Sequence, residues 1–375
     1  MRPSHVRTAT IADLDALVQL ETACFATDRL SRRRFRWMIQ QAHASLLVST
    51  SPESDAKLLG YLLLLFHRGT HLARVYSLAV DPAHQGQGIA QSLLLEAEQL
   101  ALDEGCPVIR LEVRQDHPAA QRLYQKQGYR HFGDYSAYYE DQADAWRMQK
   151  YLWRPPRLSS HPVPYYAQTL PFTCGPACLI MAMAALNPRS DLDRRHELQV
   201  WREATSIFMT QGHGGCGPRG LALAAWNRGF GVDLWITPDG PLFIQGVRQA
   251  MKKQVLSLVH EAFCDALEAT RVCQQSRAFD LSDLEAGLKK GGIPLVLISH
   301  WRFAKSKSPH WVVVTGIDEH FVFIHDPEID EEALKSSIDV QQVPVARAVF
   351  DRMALFGHDR IRCALVLYTR EKANV

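Results

Sequence analysis

The hydrophobic pattern divides the chain into two stretches of different rhythm. Over the first 153 residues, helix-period and strand-period segments alternate. Apolar positions at helical spacing predict helices over 13–21 and 32–41, and apolar runs predict strands over 58–68 and 72–80. The clearest helix lies at 89–103, where Ile89, Leu93, Ala97, Leu100 and Ala101 share one face and Gly105 supplies a stop. A short strand at 108–113 follows, then a helix opened by Pro118 and closed by Gly128. Residues 154–162, RPPRLSSHP, carry no apolar period and read as a linker. Beyond it stands a wholly apolar helix at 175–186, ended by Asn187-Pro188. A less regular middle leads to three strand-like runs at 293–299, 311–317 and 321–325. No internal repeat is present. The pattern predicts domains at 1–153 and 163–375, joined by the 154–162 linker.

Composition agrees with two globular domains. The 375 residues are 47% hydrophobic and 22% charged, which excludes a disordered or collagen-like chain. A net charge of +2 gives no electrostatic footprint for nucleic acid. The longest apolar run, 58–66, is far short of the roughly 20 residues a membrane helix needs. The start, MRPSHVRTATIADLDAL, lacks the apolar core of a signal peptide, so a cytoplasmic protein is expected. Eight scattered cysteines without a CxxC pair speak against a disulfide framework and a structural zinc site. The turn Gly212-His213-Gly214-Gly215-Cys216 offers no further ligands, so no metal is expected there. The basic run 31–36 could attract an acidic acceptor, but it reads more simply as a solvated helix face.

Chemistry concentrates in two places. In the first half, a strand ends at Val80 and leads through Asp81-Pro82-Ala83-His84-Gln85-Gly86-Gln87-Gly88 into the helix that begins Ile89-Ala90. Free N–H groups and the dipole at such a helix start bind phosphate, and the glycines allow close approach. Gly-x-Gly alone would signify only an ordinary strand–helix turn. Here Gln85, Gly88 and Ala90 stand in a Gln-x-x-Gly-x-Ala pattern. The strand Leu111-Glu112-Val113-Arg114 and the segment Ala119 to Tyr129 follow. Together these resemble the GNAT family of N-acetyltransferases, closest to its ribosomal-protein-alanine acetyltransferase branch, over about residues 5–152. The resemblance implies acetyl-CoA as donor. Its pyrophosphate would lie on the amides of Gln85, Gly86, Gln87, Gly88, Ile89 and Ala90, with Leu78 and Val80 offering backbone to the pantetheine arm. It also pairs a strand glutamate, Glu112, with a helix tyrosine, Tyr124. The reaction needs a base for the acceptor amine and an acid for the departing thiolate. A solvated carboxylate and a core aromatic are the alternative readings of the two. His117 stands where the family often has Asn, which puts that one contact to the coenzyme in question.

The second half opens with Gln168-Thr169-Leu170-Pro171-Phe172-Thr173-Cys174-Gly175-Pro176. Cys174 lies at a helix start, which favours the thiolate, the reactive form. Gln168 and the Cys174 N–H could donate to an oxyanion. His310 begins a buried strand and Asp326 ends the next one, so antiparallel pairing would bring the carboxylate to the imidazole. His300 and His325 compete for the base role, and Cys178, one turn further in, reads as core. A lone Cys or His would read as structural. Gln168, Cys174-Gly175-Pro176, His310-Trp311-Val312-Val313 and Asp326-Pro327, in this order, resemble the C39 peptidases, which are papain-like. The Cys-to-His separation is longer than that family's, which places an insertion between about 187 and 290.

The expected architecture is an α/β GNAT domain with a mixed central sheet flanked by helices, followed by an α+β papain-like domain. The expected partner is a peptide or protein, with neither nucleic acid nor membrane. Three functions stay open: acetyl transfer plus thiol-dependent peptide cleavage, an acetyltransferase whose second half only binds peptide, and thiol acyl transfer or deamidation in place of cleavage.

Overall fold

A computed structural model describes residues 5–40, 43–51, 54–153, 160–206, 214–301, 308–330 and 335–370. Most of the 154–162 linker and His213 lie outside the described residues. The chain forms two compact units, Met1–Pro155 and Pro156–Val375. No helix among the described residues is long and apolar enough to cross a membrane.

The first unit is one seven-stranded sheet between two helical layers. Its elements are β1 (His5–Thr8), α1 (Leu14–Cys24), α2 (Arg32–Gln40), β2 (Ala44–Ser51), β3 (Ser54–Phe66), β4 (Leu72–Val80), α3 (Ile89–Asp103), β5 (Val108–Arg114), α4 (Pro118–Lys126), β6 (Arg130–Tyr135) and β7 (Ala145–Tyr151). The strand order is β1-β2-β3-β4-β5-β7-β6, antiparallel except for the parallel pair β4–β5. Alternation along the strands fills two cores. Leu62, Leu64, Ala73 and Val75 pack under Leu93, Leu94 and Ala97 of α3. On the α1/α2 side, Phe35 of α2 meets Tyr61 of β3 edge-on, with ring centroids 5.4 Å apart. The basic run 31–36 buries only Phe35, as a solvated helix face does.

One irregularity shapes this unit. The β3–β4 register slips between Leu63/Ser77 and Leu64/Val75, leaving Tyr76 as an extra residue in β4. A bulge bends the strand that carries it. β4 pairs with β5 only through Leu72 to Val75, opposite Val108 to Leu111. Beyond that point β4 stays with β3, while Glu112 to Arg114 stay with β7. The two central strands therefore part into a wedge, open at their C-terminal ends.

The second unit holds α5 (Cys174–Leu186), α6 (Arg194–Ala204), α7 (Pro218–Asn227), β8 (Phe230–Thr237), α8 (Ala250–Glu268), β9 (Cys273–Gln275), α9 (Leu281–Lys289), β10 (Ile293–Ser299), β11 (Pro309–Ile317), β12 (Phe321–His325), β13 (Val343–Ala346), α10 (Arg347–Met353) and β14 (Arg362–Thr369). Its sheet runs β13-β12-β11-β10-β14-β8-β9, antiparallel but for β8–β9. Both faces are covered. Leu295, Trp311, Val313 and Leu365 join the α5–α7 layer. Val296, Val312, Val314 and Val366 join Leu284 of α9 and Phe350 of α10. Every residue from Cys174 to Ala184 is buried, so α5 is a core helix rather than an amphipathic one. The segment between α5 and β10 adds α8 outside α7 and extends one sheet edge with β8 and β9.

Candidate functional sites

In the first unit the glycine turn sits at the mouth of the wedge. Asp81 caps a short 3-10 turn at Pro82–His84 by accepting from the Ala83 N–H at 2.9 Å. The Gln85 amide donates back to the Val80 carbonyl at 3.4 Å. Gly86 and Gly88 have φ of 78° and 83°, a left-handed conformation that side chains resist. A Cβ on either would meet nothing within 4 Å, so the protein itself leaves their outer side open. α3 starts directly after Gly88, and the first N–H groups of a helix have no intrahelical partner. Open glycines, a helix start and the edge of β4 at Leu78 and Val80, which β5 does not pair with, fit a pyrophosphate with an extended arm, although the Val80 carbonyl also accepts from the Cys24 thiol at 3.4 Å. His117 spends Nδ1 on the Ala120 N–H at 3.2 Å and so caps α4.

Glu112 and Tyr124 lie in one neighbourhood but in different surroundings. The side chain of Glu112 is buried although the residue as a whole is half-buried, and both its oxygens accept from the Arg74 guanidinium, at 3.1 and 2.8 Å. The same Arg74 donates to the Tyr138 hydroxyl at 3.1 Å. The Tyr124 hydroxyl stays protonated: burial drives its pKa well above the ordinary phenol value. Tyr139 is likewise shifted up, by burial first and then by the charge of Glu112 and the neighbouring Tyr124. The loop after β6 thus brings two tyrosines to this pair. It meets the loop after α1 through reciprocal bonds, Asp28 N–H to Glu140 at 3.2 Å and Glu140 N–H to Asp28 at 3.1 Å.

In the second unit the helix, two strands and a strap converge. Cys174 is the first residue of α5. A side chain on Gly175 would press Leu221, Trp311 and Cys216 at 3.1–3.3 Å, so its absence lets α5 lie close on β11. That contact is pinned by Cys178, whose thiol donates to the Trp311 carbonyl at 3.2 Å and which is fully buried core. His310 of β11 bonds Asp326 through Nε2 at 2.7 Å and also bonds Cys174. With Nε2 taken, Nδ1 is the nitrogen left for the thiol. Burial disfavours the His310 cation, yet Asp326 and Cys174 outweigh it and hold its pKa well above the usual histidine range. Asp326 goes the other way: burial raises it, but His310 and His300 hold it well below the usual carboxylate value.

A strap, residues 163–173, carries Gln168. It is sewn to the Asp326 segment at three points: His325 Nε2 to the Val163 carbonyl at 3.0 Å, the Tyr165 hydroxyl to the Asp326 carbonyl at 3.1 Å, and the Gln168 N–H to the Pro327 carbonyl at 2.8 Å. Gln168 keeps its side-chain oxygen buried without a hydrogen-bond partner among the described residues. His325 uses both ring nitrogens in the frame, the second on the Gln342 N–H at 2.9 Å.

The comparisons with known proteins bear on both units. The model of the family described as Peptidase C39 like matches residues 163–368, more than half of the chain. The chain belongs to the Peptidase C39 like family. This family member carries a GNAT acetyltransferase domain in front, since the Acetyltransferase (GNAT) family model matches residues 14–129. GNAT-family acetyltransferases use acetyl-CoA. A Bacillus subtilis protein provisionally named a ribosomal protein bS18-alanine N-acetyltransferase is 26% identical over 139 residues, 37% of this chain and 89% of that protein. The uncharacterized protein ML0378 of Mycobacterium leprae is 32% identical over 155 residues, and the match spans 40% of this chain and 41% of that protein. The ribosomal-protein-S18-alanine N-acetyltransferase from Escherichia coli is similar in structure, with 23% identity and a TM-score of 0.37, over 41% of this chain and 96% of that one.

Sequence reasoning singles out Cys174, His310 and Asp326, and the fold brings these three together. It misses the groups around them. Glu197 of α6 is a fully buried carboxylate that accepts from the Tyr166 hydroxyl at 2.9 Å, the Thr169 N–H at 2.9 Å, the Thr169 hydroxyl at 2.6 Å and the Thr173 hydroxyl. It ties the strap to the residue just before Cys174. The hydroxyl-rich run 165–173 is the available signal, because buried hydroxyls need an acceptor. His300 enters the sequence reading only as a rival base. Its Nε2 shares Asp326, at 3.2 Å from the second carboxylate oxygen. Glu328, Arg74, Tyr138 and Tyr139 carry no signal in the sequence beyond their neighbours.

Proposed function

We propose that this chain is a two-centre enzyme: one centre acetylates an amine, at a peptide or protein N-terminus, and the other cleaves peptides with a thiol. The observation that carries the thiol half is the convergence of Cys174, His310 and Asp326 from one helix and two strands, with His310 hydrogen-bonded to both partners.

Acetyl-CoA supplies the activated acetyl thioester. The amides of Gln85, Gly86, Gln87, Gly88, Ile89 and Ala90 would hold its pyrophosphate, and the backbone of Leu78 and Val80 its arm. His117 holds the α4 start and offers at most its outer ring nitrogen. The buried Tyr124 phenol is the proton donor for the departing thiolate. Glu112 would accept the amine's proton through water, in competition with Arg74. The name of the Bacillus subtilis relative supports a protein N-terminus as acceptor.

At the second centre, His310 Nδ1 takes the Cys174 proton while Asp326 holds the resulting imidazolium. The thiolate attacks the peptide carbonyl, and the Cys174 N–H and the Gln168 amide donate to the oxyanion. His310 returns the proton to the leaving amine, and water then hydrolyses the thioester. All eight cysteines are unpaired, which supports a reducing, cytoplasmic setting. The test is a thiol-directed probe applied to the whole chain. Labelling of wild type that is lost in both Cys174→Ala and His310→Ala supports an activated thiol. Equal labelling of wild type and His310→Ala would leave the second unit a peptide binder.

A further inference from the structure

The start of α7, the loop after β8 and α8 enclose a cleft outside the triad. Its walls are Leu242, Phe243, Leu256, Val259 and Phe263, and its ionisable members are Arg219 and His260. The Arg219 side chain is only 9% exposed. A guanidinium carries five N–H donors. Among the described residues one of them is taken, from Nη2 to Asp239, while Nε is buried without a hydrogen-bond partner. Asp239 is 52% exposed and also accepts from the Ser276 hydroxyl at 2.6 Å, so it meets the cation from the solvent side. α7 begins here, at Pro218, without a side-chain cap, and the N–H groups of a first helical turn have no intrahelical acceptor. Burial lowers the pKa of His260 and the Arg219 charge lowers it further, against Asp239 and Glu261, so ring and guanidinium face one space.

The cleft lies at the same end of the sheet as the triad. α7 runs to Asn227 and turns at once into β8 at Phe230, so its start stands beside the far end of β8, Thr237. His310 is opposite Ile298. Two residues beyond the Val296–Ala364 pair, Ile298 faces Arg362, and Arg362 is opposite Thr237. His310 and Thr237 therefore stand in one row, three strands apart, or about 14 Å at about 4.8 Å per strand. An extended peptide crosses that row in roughly four residues at about 3.3 Å each.

We propose that this cleft binds the last residue of a peptide, carboxylate and apolar side chain together, and so presents the chain to the thiol centre for a cut a few residues from its C-terminal end. One carboxylate oxygen would accept from Arg219 Nε and the other from the first-turn N–H groups of α7, where the helix dipole favours negative charge. Bonds of this charge-assisted kind are the strong ones. The apolar walls take the side chain. The binding stands on the cleft alone; the cut rests on the function proposed above. In that cut the scissile C–N bond breaks and His310 returns the thiol's proton to the leaving amine. The leaving amine is the short C-terminal peptide, and water then frees the longer piece from sulfur as its acid.

The test uses the whole chain as Cys174→Ala, which cannot cut. It is titrated calorimetrically with the N-acetylated peptide Gly-Gly-Gly-Gly-Phe, once as the free acid and once as the C-terminal amide. The acid should bind about tenfold more tightly or better, the weight of one charge-assisted bond. Arg219→Gln in that background should remove the preference and leave the affinity for the amide nearly unchanged. Phe263→Ala should weaken both peptides. Decanoate, a carboxylate on a plain alkyl chain, should bind more weakly than the peptide acid. Equal affinity for acid and amide would overturn the proposal. So would tighter binding of decanoate, which would make the cleft a fatty-acid site. If Arg219→Gln fails to fold, the comparison of acid with amide decides alone, because it needs no substitution in the cleft. With Cys174 intact, mass spectrometry of longer peptides ending in Phe should place the cut at a fixed distance from the C-terminus of the free acids, and amides should lose it. Acid-selective binding by a wild type that never cleaves keeps the cleft and removes the thiol reading. Cleavage indifferent to acid or amide keeps the thiol reading and removes the presentation.

Discussion

Replacing Glu197 by alanine removes the one acceptor shared by Tyr166, Thr169 and Thr173. Four hydrogen bonds end on this buried carboxylate. Bonds to a charged group contribute about 1.5–3 kcal/mol each, so a simple sum would reach about 6–12 kcal/mol. That sum overshoots. Hydroxyls can turn to other acceptors, as Thr173 can to the Leu170 carbonyl at 2.9 Å, and the carboxylate's own desolvation cost disappears with it. The Thr169 N–H cannot turn. A loss of about 3–5 kcal/mol follows, the high end of single substitutions. In a unit of this size that lowers Tm by roughly 6–20 °C, at about 2–4 °C per kcal/mol. Glu197→Gln keeps the volume and one acceptor and should lose about half as much. The strap also carries Gln168, so cleavage should lose kcat, by about 10–100-fold, with little change in KM, because an oxyanion donor acts in the transition state. Differential scanning calorimetry and steady-state peptide cleavage measure the two effects. A Glu197→Ala protein that melts within about 1 °C of wild type would refute the reasoning about the carboxylate. Normal melting loss with unchanged kcat would refute its link to Gln168.

Gly88→Val forces a β-branched residue into a left-handed conformation and fills the open side of the turn. Acetyl-CoA affinity measured by calorimetry should fall more than about tenfold, a difference of about 1.4 kcal/mol, and unchanged affinity would remove the turn from the site. Tyr124→Phe should lower acetyl-transfer kcat about a hundredfold or more and leave KM for acetyl-CoA nearly unchanged; equal kcat would assign the proton to water or another group. Glu21 is buried, and burial raises its pKa above 4.5 despite the bonds it accepts from Tyr61 and the Leu30 N–H. A raised folded-state pKa contributes stability below the unfolded value that is lost as pH rises through the folded one. Glu21→Gln should therefore flatten the fall in Tm of the first unit as pH rises above about 4.5. Parallel wild-type and variant curves would show that Glu21 does not titrate there.

Local pattern carries the elements that hold the chemistry. The runs at 72–80, 293–299 and 321–325 are bounded apolar stretches, and β4, β10 and β12 occupy those spans. The helix at 89–103 matches α3, because one apolar face and a glycine stop decide both ends. β14 is not legible, although it lies inside the second sheet between β10 and β8. Seven consecutive buried residues, Arg362 to Tyr368, have no period to distinguish strand from buried helix. β8 is hidden by Asp233, whose carboxyl is accommodated by a bond from Tyr368 in β14, far along the chain. The same limit applies to the sites. Glycines, caps and the residues flanking Cys174 act within a few positions and can be read in order. The stacking of His300 on His310 depends on the β10–β11 register, which sets Ile298 opposite His310. A first-turn acid such as Glu197 reads as a favourable helix-end charge, and only the packed fold turns it inward onto the strap.

The central claim, two separate centres in one chain, is tested most directly by mass spectrometry of a peptide library incubated with the whole chain, with and without acetyl-CoA. Wild type should give both acetylated and shortened peptides. Cys174→Ala should give only the acetylated ones, and Gly88→Val only the shortened ones. A Cys174→Ala protein that melts normally yet no longer acetylates a short peptide would contradict independent centres. So would a wild type that acetylates but leaves every peptide at full length.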